Sequence, residues 1–179
     1  MARVAELAQR SAAVTHAHPL GQAGAVVQAC AVALAAASTP GTPVDRAAWW
    51  RRRAAAAAAP AYAAALRQVA GLGPAAAPGT VAAAVGNGVA ALEAVPAALA
   101  AFLAHPDQPA DAIRFAIQVG GDTDTIAAMT SALAGARCGA SALPRPWLRR
   151  LEFAGRLVAA TGLLAETTRR PGGEAAGVR

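Results

Sequence analysis

The stretch IQVGGDTDTIAAMTSALAG, Ile117 to Gly135, places two carboxylates and two threonines between a glycine pair and a long apolar run. The glycine pair interrupts regular structure, an apolar helical pattern resumes at Ile126, and Gly139 stands where a left-handed residue ends a helix. A helix over 123–138 follows. The polar residues at its start have two readings. Asp122 or Thr123 caps the free N–H groups of the first turn, which accounts for one acid. Alternatively, Asp122 lies extended just ahead of the helix with Asp124 and Thr125 in its first turn, and their oxygens converge on one point. That is the donor set of a hard divalent cation such as Mg2+, which takes few ligands from protein and offsets the repulsion between the two acids. A calcium-binding EF-hand is disfavoured because its closing acid would fall on Leu133.

Working outward, Gly and Pro divide the rest of the chain into further helices. Upstream, the spacing predicts helices over Val4–Val14 and Gly21–Ala37, then a loop over Ser38–Asp45. A helix begins near Asp45 and passes through WWRRRAAAAAAPAYAAALRQVAG, where Pro60 kinks or splits it. After the loop Gly71–Gly79, the segment VAAAVGNGVAALEAVPAALAAFLAH is interrupted by GNG, and a short helix covers Ala110–Gln118. Downstream, a last helix runs from Pro146 to about Leu164, and the tail TTRRPGGEAAGVR has too little apolar surface to pack. The expected organisation is one helical domain over 1–165 and a disordered tail over 166–179. No period-two strand pattern stands out.

Composition agrees with an all-α fold. Of the 179 residues, 56% are hydrophobic, mostly alanine, and 4% are aromatic. Alanine is the strongest helix former and buries little area per residue, so close helix packing is expected. All 16 basic residues are arginine, which reads as codon bias; the net charge of +6 is weak support for nucleic-acid binding. The arginines fall in separate groups (Arg51 to Arg53, Arg145 to Arg156, Arg169 and Arg170), so no specific nucleic acid is expected as partner. Cys30 and Cys138 sit in apolar helical patterns without a second ligand at metal spacing and read as buried small residues. The N-terminus MARVAELAQR carries Glu6 and Arg10 where an export signal needs its apolar core, and Leu20–Ala37 carries Gln22 and Gln28, so neither export nor membrane insertion is expected. A reducing, cytoplasmic location follows as the expectation.

GGDTDTIAAMTSALAGARCG, followed by SALPRPWLRRLE, resembles the C-terminal signature of the ADP-ribosylglycohydrolase family, which includes dinitrogenase-reductase-activating glycohydrolases and ADP-ribosyl-acceptor hydrolases. SAAVTHAHPLGQAGAVVQACAVALA, Ser11 to Ala35, is similar to the family's Thr-His helix entry. GNGVAALEAVPAALAAFL, Gly86 to Leu103, is similar to the segment before the signature, in the form closest to enzymes that remove ADP-ribose from serine and degrade its polymers. The resemblance implies an all-α orthogonal helical bundle with two Mg2+ ions at the substrate ribose. It implies that Asp122, Asp124 and Thr125 are metal ligands, that His16 lines the ADP-ribose cleft, and that Gly86, Asn87 and Gly88 form a loop beside the adenosine portion. His16 and Asn87 also have plain structural readings, as a hydrogen-bonded histidine at a helix entry and as an ordinary turn residue.

The implied activity is a magnesium-dependent hydrolase that removes ADP-ribose from modified proteins or from small ADP-ribosyl compounds. Bound metal orients the ribose, polarises the anomeric bond and positions water, so the carboxylates serve as ligands and no residue is assigned as general acid or base. Glu93, on an otherwise apolar helix, is expected to cap or pair internally; His18 and His105 are expected at the surface without partners. Family members also carry an acidic loop residue and a Thr-Asp-Asp group near the N-terminus, and no equivalent of either is found. The expectation is therefore a bundle lacking the family's N-terminal half: a fragment or misassigned start, a subunit whose partner chain supplies the rest, or a degenerate paralogue that binds weakly or is purely structural; the alternative function is a non-catalytic helical interaction module. Uncovered apolar surface makes self-association a further expectation.

Overall fold

Proline stands in the first turn of five of the described α-helices. It has no N–H to leave unsatisfied at a first turn, and its fixed φ suits that position. The computed structural model describes residues 1–45, 49, 59–73 and 75–169. Its helices are α1 (Ala2–Ala12), α2 (Pro19–Ala36), α3 (Pro60–Gly71), α4 (Pro78–Val85), α5 (Ala91–Ala104), α6 (Pro109–Val119), α7 (Thr123–Cys138), α8 (Arg145–Leu148) and α9 (Ala154–Arg169). No strand occurs among the described residues, so the fold is all-α. Pro60 starts α3, splitting the pattern at the proline as its chemistry requires. Apart from Asp45, Trp49 and Ala59, the expected helix over 45–59 lies outside the described residues.

The chain forms two compact units, Met1–Leu143 and Pro144–Arg179. In the first, α2, α5 and α7 run in the same direction, as the cross-helix bonds show. Near the start of α7, the Asp122 N–H donates to Asn87 O at 2.8 Å. Midway, Thr130 Oγ1 donates to Ala98 O at 3.3 Å, and Gln28 Nε2 on α2 donates to Met129 O at 3.0 Å. At the far end, Arg137 reaches Ser38 just past α2 and Asp107 just past α5. The hairpin partner α6 returns the chain from the end of α5 to the start of α7. The three parallel helices thus begin at one end, where the loops 13–18, 86–90 and 120–122 gather.

The core joins Val27 and Ala31 of α2, Tyr62 and Leu66 of α3, Leu99 and Phe102 of α5, and Ile126 and Leu133 of α7. Trp49 packs its ring on Phe102, centroids 5.3 Å apart. α2 is the one described helix long and apolar enough to cross a membrane by length and composition. Here it contributes Val26, Val27, Cys30 and Ala31 to the core and spends a Gln28 donor on α7. Burial raises the Tyr62 phenol to about 12, while its hydroxyl donates to Leu20 O at 3.1 Å.

Gly24 is the point of closest approach: an added Cβ would lie 2.5 Å from the Tyr62 hydroxyl and 3.0 Å from the Ala91 Cβ. Gly24→Ala gains about 1 kcal/mol of helix propensity. Overpacking a filled site costs about 1–3 kcal/mol, and here it also displaces a buried phenol from its acceptor. The expected outcome is a lower unfolding midpoint in thermal melts.

Several expectations are corrected by the packing. His18 is exposed but not without a partner: it is the N-cap of α2, and its Nδ1 accepts from the Leu20 N–H at 3.2 Å. His105 is half-buried, edge-on to Phe115 at 5.7 Å. Cys30 is buried, whereas Cys138 is half-buried and its thiol donates to Pro106 O at 3.4 Å; burial pushes that thiol up. In the second unit, the single helix expected over Pro146–Leu164 is two helices. The break ends at Phe153, which takes φ +56, and the Arg156 guanidinium lies 5.6 Å over its ring. α9 continues to Arg169, and residues 170–179 of the expected tail lie outside the described residues.

Candidate metal and substrate site

The acidic turn is built by two loops that hold each other. Between α6 and α7 the backbone turns sharply, with Gly121 at φ +66, in the left-handed region that disfavours other residues. A Cβ at Gly121 would overlap the carbonyl of Asn87, so this glycine serves a close approach between the two loops. Asn87 grips the turn on both sides: its carbonyl accepts from the Asp122 N–H at 2.8 Å, and its Nδ2 donates to Val119 O at 2.9 Å.

Asp122 stands at the N-cap of α7 with φ −79 and ψ 65, yet its side chain makes no capping hydrogen bond. The capping reading of Asp122 is thereby corrected. Its backbone carbonyl accepts the first helical bond, from Ile126 N at 3.0 Å, while its carboxylate lies beside that of Asp124. Asp124 is exposed and accepts from the Thr125 N–H at 2.9 Å. The neighbouring Asp122 side chain, then hydrogen bonds from the backbone N–H groups of Thr125 and Asp124, hold the Asp124 carboxyl below the usual carboxylate range. Two neighbouring carboxylates with the Thr125 hydroxyl one residue on, ahead of a helix N-terminus, are oxygen donors suited to a hard cation. Among the described residues no group of three or more His, Cys, Asp or Glu converges.

The Gly86–Asn87–Gly88 loop rests on Glu93. Its Oε2 accepts from the Gly88 N–H at 2.8 Å, and a Cβ at Gly86 would overlap its carboxylate. Glu93 is therefore internally paired, as the sequence suggests. His16 occupies the same end of the bundle, between α1 and α2, and is exposed. Its Nδ1 lies 2.7 Å from Thr15 Oγ1, its carbonyl accepts from Gln22 Nε2 at 2.9 Å, and its ring covers Gly21. Thus the GNG loop and the acidic turn are directly bonded, whereas His16 shares their end of the bundle and bonds to neither.

At the other end of α7, Arg137 is fully buried, with only 1% of its side chain exposed. Nε donates to Asp107 Oδ1, and the two terminal nitrogens donate to Ser38 Oγ and Thr42 O, each at 2.8 Å. The Gly41 N–H donates to the same Asp107 oxygen at 3.1 Å. This clasp fixes the far end of α7 and so the direction in which its acidic end points.

Part of this sequence is shared with known proteins. ADP-ribosylhydrolase ARH3 of Mus musculus is 41% identical over 78 residues, which is 38% of this chain and 21% of that protein. The Homo sapiens protein of that name is 40% identical over 78 residues, 38% of this chain and 22% of its own. That of Danio rerio is 39% identical over 74 residues, covering 35% of this chain and 20% of the relative. The matched stretch thus spans about a fifth of these relatives. The ADP-ribosylglycohydrolase family model matches residues 1–173, nearly the whole length, and the chain belongs to that family.

Proposed function

We propose that this chain carries the acidic side of a magnesium site in a hydrolase that releases ADP-ribose from modified proteins or from small ADP-ribosyl compounds. The observation that carries this reading is Asp122, a carboxylate at a helix N-cap that caps nothing and instead stands beside Asp124. Family membership and relatives named ADP-ribosylhydrolase give the substrate class. Asp122, Asp124 and Thr125 are the proposed ligands, and His16, Gly86, Asn87 and Gly88 line the ADP-ribose. Bound Mg2+ supplies Lewis acidity and orientation of the ribose and water. The chain's own residues hold the two carboxylates at a fixed spacing and present the N-terminal end of α7 to the ligand. Remaining positions of the shell are assigned to water and to a segment from elsewhere in the full protein or from a partner chain.

Release of ADP-ribose from an ADP-ribosylated peptide, followed with and without Mg2+, tests the proposal. Activity is expected to require the ion, and Asp124→Asn is expected to weaken Mg2+ binding by roughly 10–100-fold, the scale seen when metal sites lose a supporting group. Activity indifferent to both changes overturns it.

A further inference from the structure

Glu93 is a half-buried carboxylate near the start of an otherwise apolar helix. A glutamate three residues into a helix ordinarily reaches back to the N–H of the N-cap residue. Here the N-cap is Ala90, which has no side-chain cap, and Glu93 passes it by to take the Gly88 N–H at 2.8 Å. Gly86 and Gly88 both lie against that carboxylate, so closely that a Cβ at Gly86 would overlap it. Between these two glycines stands Asn87, whose carbonyl and amide hold Asp122 N and Val119 O. An unbroken path of bonds and contacts therefore runs from the Glu93 carboxylate through the GNG loop to the backbone of Asp122.

We propose that Glu93 is a positioning residue: by bracing the Gly86–Gly88 loop it fixes Asn87, and through Asn87 it sets where the Asp122 and Asp124 carboxylates stand. The proposal rests on the magnesium reading of the acidic turn and adds to it a residue that touches neither metal nor substrate. A hydrogen bond to a charged acceptor is about twice as strong as a neutral one. Its placement in the first turn of α5 also uses the favourable end of the helix dipole. A merely structural acid would support α5 and leave the acidic turn indifferent to its loss.

The test uses Glu93→Ala and the conservative Glu93→Gln, whose amide oxygen still accepts from the Gly88 N–H. Amide hydrogen exchange is read at Asp122, with Leu133 in the interior of α7 as reference, and MgCl2 is titrated while the amide signals of Gly121–Thr125 are followed. In Glu93→Ala, Asp122 exchange is expected to accelerate roughly tenfold relative to Leu133, and Mg2+ affinity to fall by a similar factor; Glu93→Gln retains most of both. Asp122 exchange unchanged in Glu93→Ala, or accelerated no more than Leu133, overturns the proposal. Wild-type amides that ignore Mg2+ while the Asp122 amide still accelerates in Glu93→Ala would defeat the magnesium reading and leave the brace standing.

Discussion

Arg137→Ala is expected to lower the unfolding free energy by about 3–5 kcal/mol, the scale of breaking a buried ion pair and emptying the space of a large side chain. For a chain of this size that corresponds to a melting point lower by roughly 10 °C. The guanidinium is sealed inside the first unit and satisfies a carboxylate, a hydroxyl and a backbone carbonyl on two different loops. Its removal releases the loop after α2 and the loop after α5 together. Asp107→Asn is expected to cost less, about 1–2 kcal/mol, because the amide oxygen still accepts from Arg137 Nε and Gly41 N, and Asp107, 37% exposed, is partly screened by water. The hydrogen bond from Arg137 holds the Asp107 carboxyl below its ordinary range. A carboxyl lowered by folding contributes stability that is present above its unfolded value, about 4, and lost as pH falls through the folded value. Urea unfolding at neutral pH and near pH 3 should therefore show a shallower acid loss in Arg137→Ala than in wild type. Equal slopes in the two proteins would mean that the pair does not couple.

Arg137 also shows what is hard to read from the chain. The boundaries of α7 are legible because a glycine pair precedes it, Gly139 follows it, and apolar residues recur at helical spacing between them. Arg137 belongs to the same buried stripe as Ile126, Thr130, Leu133 and Ala134, a spacing visible in the sequence. In a chain whose only basic residue is arginine, however, composition gives no reason to single it out. Its partners Ser38, Thr42 and Asp107 lie 99, 95 and 30 residues away, a separation that periodicity does not bridge. The acidic turn is legible because four oxygen-bearing residues exceed what a cap uses. The role of Asn87 is not, since asparagine between glycines announces a turn and says nothing of what the turn ties down. The break between α8 and α9 carries no signal of its own. Phe153 adopts a left-handed backbone without the glycine or asparagine that usually marks one.

Gly121→Ala is expected to remove about 3–5 kcal/mol and to disorganise the acidic turn at the same time. The left-handed backbone alone costs an alanine about 1–2 kcal/mol. The new methyl also overlaps the Asn87 carbonyl, a backbone atom that no rotamer change can move aside, so the two loops must separate. Separation breaks the bond from Asp122 N–H to Asn87 O, worth about 1 kcal/mol, and with it the fixed spacing of the two carboxylates. Gly139→Ala supplies the control: its φ of +78 is also unfavourable for alanine, but a Cβ there meets nothing within 4 Å. It should cost about 1–3 kcal/mol from backbone strain alone and leave the Asp122 amide signal in place. Thermal melts would rank the two variants, and amide spectra of Gly121–Thr125 would separate local from general damage. If Gly121→Ala proved no more destabilising than Gly139→Ala, and its Asp122 amide kept the wild-type shift, the two loops would not depend on each other at this point. The acidic turn would then owe its shape to α7 alone, and neither Asn87 nor Glu93 could govern the placement of its carboxylates.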